Sequence, residues 1–174
     1  MLRLSGLCFA TLLTCGNASA GLDGHAVTVN YLAPDLHTVR ETKTVTVGPG
    51  NEVTFFDGGL KIDLSDEQVK MRWLFNGIIA PTPFHGLQFH IDSSVGAFSA
   101  ASVNASSTSG TLIDGVSFDR HNLYVNWSGV RLGDIQKFVV DFAVSPVPEP
   151  SAWALMLLGM AAIGAAAKSR RRSR

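Results

Sequence analysis

The part of this chain that would survive export has no cysteine. Cys8 and Cys15, the two cysteines present, fall within the first 20 residues. Those residues read as a removable leader: Met1-Leu2-Arg3 is a short positive start and Leu4 to Cys15 is mostly apolar. Ala18-Ser19-Ala20 then supplies the small-x-small pattern of a signal-peptidase site, so cleavage is expected after Ala20. Leu13-Thr14-Cys15 has the outline of a lipidation box, but threonine fits poorly before the cysteine. A chain beginning at Gly21 is without disulfides, a thiol nucleophile or a cysteine metal site, and an apolar core must hold it together.

Positive charge is also scarce where a ligand would meet it. The formal net charge of zero averages two unlike regions. Between residues 21 and 146, eight Lys and Arg stand against 13 Asp and Glu, a net charge of −5. Five further cations, Lys168, Arg170, Arg171, Arg172 and Arg174, crowd the last seven residues. An acidic body argues against nucleic acid as a partner, because phosphates need a basic face to neutralise them.

Catalytic motifs are missing as well. There is no G-x-S-x-G elbow and no phosphate loop. The best local constellation is His85, His90 and Asp92 in F-H-G-L-Q-F-H-I-D. On a strand, His90 and Asp92 project from one face, opposite Leu87, Phe89 and Ile91, and His85 or His121 is available as a third metal ligand. Two polar residues on a wet face explain the pattern more simply. Asp57-Gly58-Gly59 with Asp63 and Asp66 lacks calcium-loop spacing and reads as turn chemistry. The sequence therefore predicts no enzyme, with no catalytic residue, cofactor or metal assigned.

Long apolar runs are absent but for one. Ala152 to Ala167 holds 16 residues without a charge. With Ser151 it makes about 25 Å of helix, near the lower limit for crossing a bilayer. No polar stripe at the helical period marks it as a core helix. A transmembrane helix is predicted over 152–167, with the basic tail of 168–174 on the cytoplasmic side.

Before that run stands Val147-Pro148-Glu149-Pro150-Ser151. Each proline fixes its own φ and disfavours helix in the residue before it, so Glu149 is held on extended backbone. Alone, such a triplet is an ordinary helix-stopping linker. Followed directly by a short hydrophobic helix and an Arg-rich end, it resembles the PEP-CTERM sorting domain of Gram-negative bacteria, over Val147 to Arg174. The resemblance implies processing by an exosortase, a membrane-embedded protease or transpeptidase. It makes Pro148, Glu149 and Pro150 recognition residues and Lys168, Arg170, Arg171, Arg172 and Arg174 a basic anchor. It also implies surface or extracellular display and an association with exopolysaccharide.

The body, residues 21–145, has the size of one domain. Its period is two almost throughout. Val27, Val29 and Tyr31 alternate with polar partners; so do Leu60, Ile62 and Leu64, then Val69, Met71, Trp73 and Phe75. Leu87, Phe89 and Ile91, Leu123, Val125 and Trp127, and Phe138 to Val144 repeat the pattern, while Ala97 to Thr111 reads as weak edge strands or a loop. Ser65-x-x-Gln68 offers a helical capping box as the rival to a strand over 68–75. About eight to ten strands predict an all-β fold, a single antiparallel β-sandwich, with a jelly roll as one form of it. Residues 146–151 are then a proline-rich linker.

The expected function is an exported, non-catalytic surface or matrix protein. Its partners are signal peptidase, exosortase, the inner membrane before processing, and exopolysaccharide. A glycan-binding module is the first alternative, with Tyr124 and Asn126 on the wet face and Trp127 in the core. A metal-dependent surface enzyme is the second.

Overall fold

The computed structural model describes residues 21–50, 53–107, 115–133, 136–146 and 155–163. The strands in chain order are β1 (Ala26–Leu32), β2 (Val39–Thr46), β3 (Val53–Phe55), β4 (Leu60–Leu64), β5 (Gln68–Trp73) and β6 (Gly77–Ile78). They continue as β7 (Gly86–Ile91), β8 (Ala97–Val103), β9 (Gly115–Phe118), β10 (Asn122–Asn126), β11 (Arg131–Leu132) and β12 (Gln136–Ser145). One five-stranded sheet runs β2-β1-β7-β10-β9 and the other β3-β4-β5-β12-β8, with β11-β6 as a small third ribbon. Every pairing is antiparallel.

The alternation in the sequence builds this arrangement. Val27, Val29, Leu87, Phe89 and Val125 from the first sheet share one buried cluster with Ile62, Val69, Met71, Phe138 and Val140 from the second. Removing such a side chain from water contributes about 1.5–3 kcal/mol each. Trp73 and Trp127 join the two halves edge to face, with ring centroids 5.0 Å apart at 88°. The body is thus a two-sheet antiparallel sandwich, as the period-two pattern predicts.

Three details differ from the sequence expectations. The topology is not a jelly roll: β1 and β2 form a hairpin in one sheet and β3-β4-β5 a meander in the other, in place of two four-strand Greek keys. Strand β5 stops at Trp73, short of the predicted Phe75, although the Leu74 N–H still bonds the Gly59 carbonyl in the β4–β5 register, and Gly77 opens β6. Ser65 caps no helix. Its N–H and its hydroxyl both donate to the Gln68 carbonyl, at 2.9 and 3.2 Å, closing the β4–β5 hairpin. The Ala97–Val103 segment is an edge strand, paired to β12 alone.

Candidate functional site

The first sheet turns a polar face to solvent. Alternation on β1, β7 and β10 places Thr28, Asn30, Gln88, His90, Asn122 and Tyr124 opposite the core. Register sets them side by side: Asn30, Gln88 and Tyr124 in one row, Thr28, His90 and Asn122 in the next. From Thr42 and Thr44 at one edge to Ser117 near the other, these outward positions carry no Lys, Arg, Asp or Glu.

Hydrogen bonds tie the face into a ladder. The Thr42 hydroxyl donates to Asn30 Oδ1 (2.7 Å), and Asn30 Nδ2 donates to Gln88 Oε1 (2.9 Å). Gln88 Nε2 donates to Asn122 Oδ1 (2.9 Å), while Asn122 Nδ2 reaches both oxygens of Asp119 at 2.9 and 3.0 Å. His90 Nδ1 lies 2.9 Å from the same Asn122 oxygen. A carboxamide oxygen only accepts, so His90 Nδ1 is the donor of this bond. Burial alone would raise the Asp119 carboxyl, yet donors from the Asn122 side chain and the His121 and Asn122 backbone hold it below the usual range. Burial pushes the Tyr124 hydroxyl up, so it stays a neutral donor.

The sequence-predicted trio does not converge. Counting by two from Leu87 and Phe89 sends His85 inward and His90 outward, so the sheet itself separates them. His85 Nε2 meets the Tyr31 hydroxyl at 2.6 Å, while its Nδ1 is buried without a partner. Desolvation, then the nearby Arg40 charge, lowers the His85 pKa, and desolvation raises that of Tyr31. Tyr31 stands edge-on to Phe56 (4.8 Å), which stacks on Trp73 (5.6 Å). Asp92 is spent on its own turn, accepting from the Ser94 N–H at 2.8 Å, and this bond keeps its carboxyl low. Asp66 likewise accepts from the Asp23 N–H (2.7 Å). Among the described residues no three His, Cys, Asp or Glu are grouped to hold a metal.

Trp127 is buried at 1 % exposure, and Tyr124 and Asn126 lie on the opposite face, as alternation predicts. The ladder partners Asn30, Gln88, Asn122 and Asp119 were not legible from composition. Their signal is register, which aligns residues 58 and 34 positions apart in the Asn30–Gln88 and Gln88–Asn122 bonds.

The chain leaves the sandwich from β12, an interior strand of the second sheet. A cleft of about 380 Å³ borders the exit, lined by Arg120, His121, Ser145 and Pro146 among others. Gly96, at φ +149, is tucked under that exit: an added Cβ would lie 2.5 Å from the Ser145 carbonyl oxygen. Ala20, Pro148, Glu149, Pro150, Lys168, Arg170, Arg171, Arg172 and Arg174 lie outside the described residues. Within the predicted 152–167 segment, residues 155–163 are helical and every one is exposed. Among the described residues no helix is long and apolar enough to cross a membrane.

The comparisons place the tail and leave the body alone. The family model of the PEP-CTERM protein-sorting motif matches residues 146–172, beginning where β12 ends. No curated protein and no solved structure matches the chain.

Proposed function

We propose that this chain, which carries a PEP-CTERM sorting motif and so is sorted for export by an exosortase, is a non-catalytic surface or matrix protein of a Gram-negative bacterium, linked to exopolysaccharide. Signal peptidase removes residues 1–20. Residues 152–167 form a temporary inner-membrane anchor with the basic tail inside the cell. Exosortase then reads Pro148, Glu149 and Pro150 and cuts. The helix over 155–163 supports the anchor: it is apolar on all sides and buries none of its residues, an arrangement that water disfavours and lipid accepts. Intact mass of the exported protein tests the sorting. A C-terminus upstream of the 152–167 segment is expected, and full-length product ending at Arg174 in cells with active exosortase would refute it.

The outer face of the first sheet carries the functional reading of the body. Thr, Asn, Gln and Tyr groups preset by mutual hydrogen bonds, with the Asp119 carboxylate accepting at one end of the ladder, suit the hydroxyls of a neutral glycan. The ladder fixes rotamers before any ligand arrives, which lowers the ordering cost of binding. Retention on a column of the host's own exopolysaccharide is the test. Tyr124→Ala should weaken it about fivefold, the equivalent of one net hydrogen bond of ~1 kcal/mol. Equal retention of wild type and variant would remove this face from consideration.

A further inference from the structure

The second sheet shows solvent a different chemistry. Its β4, β5 and β12 point Lys61, Arg72 and Lys137 outward, and register places the three directly beside one another: Lys61 opposite Arg72, and Arg72 opposite Lys137. Lys70 stands on the same face opposite Asp63. Four of the body's eight cations thus share one face of a domain whose net charge is −5. A shallow cleft of about 150 Å³ is lined by Lys61, Asp63, Lys70, Met71, Arg72 and Lys137, with Asp63 its one acid.

Like charges directly opposite on neighbouring strands destabilise a sheet. Three stand in this row, in a domain whose net charge is −5. We propose that this row is a binding site for a linear polyanion whose charges are spaced along the chain, of the carboxylated or sulfated polysaccharide class. The inference is independent of the neutral-glycan reading of the first sheet.

The spacing favours that occupant. Adjacent strands lie ~4.8 Å apart, so the row presents one cation about every 5 Å. A polymer bearing one anionic group per sugar ring offers charges at comparable intervals. Duplex nucleic acid packs a charge every ~1.7 Å, far more densely than the cations of the row. Insertion into a lipid surface, beyond electrostatic contact, needs apolar side chains. The large exposed apolar residues of the body, such as Leu74, Ile78 and Phe118, are not among those lining this cleft.

The test uses the full chain in mild detergent, with the tail cations Lys168, Arg170, Arg171, Arg172 and Arg174 changed to Gln so that only the body can respond. Probes are polygalacturonate, heparin, dextran, single-stranded DNA, and vesicles of phosphatidylglycerol. Binding to polygalacturonate or heparin, released by salt and absent for dextran, is expected. Arg72→Gln should weaken it about threefold and Lys61→Gln with Arg72→Gln about tenfold, in keeping with surface ion pairs of 0.2–1 kcal/mol. The same Arg72→Gln change should raise the melting temperature, because it removes the central member of the repelling row. A variant that binds as wild type, tighter binding to DNA or vesicles than to either polyanion, or a fall in melting temperature would each overturn the proposal.

Discussion

Gly86 and Gly115 face Asn126 from its two sides, one on β7 and one on β9. They make a matched pair with opposite expected responses. A Cβ built on Gly86 lies 1.9 Å from the Val125 carbonyl oxygen and 2.9 Å from its carbon, both backbone atoms of β10. Carbon contacts settle near ~3.5 Å, so β7 and β10 must separate locally by more than ~1 Å. Backbone hydrogen bonds tolerate only 2.7–3.2 Å, and the Trp127 N–H to His85 carbonyl bond at 2.9 Å sits beside the opening. Overpacking costs ~1–3 kcal/mol and each weakened bond ~0.5–1.5 kcal/mol, so Gly86→Ala should lose about 3 kcal/mol. In a domain of this size that is a fall of ~10 °C in melting temperature. Gly115 has nothing within 4 Å of its built Cβ and no positive φ, so Gly115→Ala should gain ~0.5 kcal/mol by restraining the unfolded chain. Urea denaturation of both variants decides it. A loss below ~1 kcal/mol at Gly86, or an equal loss at Gly115, would refute the close approach of β7 and β10.

Trp73 is fully buried against Trp127, Phe56 and Phe75, and Trp73→Ala should cost ~3–5 kcal/mol, read by denaturant midpoint. His85 supplies a pH dependence whose sign follows from its lowered pKa. The folded state holds the neutral ring, so the stability tied to it is complete above the ordinary value of ~6.5 and drains as pH falls through the lowered one. The His85→Gln variant should therefore lose less stability than wild type between pH 7 and 5, and parallel profiles would contradict the half-buried neutral imidazole. Asn122→Ala removes the acceptor for His90 Nδ1 and Gln88 Nε2, at ~1 kcal/mol. Nitrogen NMR of His90 should then show the Nδ1–H tautomer giving way to a mixture.

The sandwich was readable because period two survives in the sequence wherever one face of a strand is buried. Leu60, Ile62 and Leu64, or Leu123, Val125 and Trp127, need no partner to announce which side they take. What failed was information held between strands. A jelly roll and this hairpin-and-meander topology use the same alternation, so the order β2-β1-β7-β10-β9 left no local mark. His85, His90 and Asp92 looked like a group because they are close in sequence, yet an odd spacing of five puts the histidines on opposite faces. The exit tail was legible for the opposite reason. Its proline pair, apolar run and basic end act in sequence order, and the match over residues 146–172 follows the same linear logic.

Charge shows how each level of averaging hides the next. The whole chain sums to zero, which conceals a body at −5 and a basic tip. The body at −5 conceals a face where Lys61, Arg72 and Lys137 align across three strands. Net charge governs solubility and long-range steering, but a ligand in contact responds to charges within about a Debye length, ~8–10 Å. Two neighbouring strand spacings span that distance. The cation row is therefore a local source of positive potential inside an acidic domain, while the first sheet's outer face contributes almost none. A sandwich whose first sheet presents a hydrogen-bonding ladder and whose second presents a cation row keeps the two chemistries on separate surfaces, without competition between them.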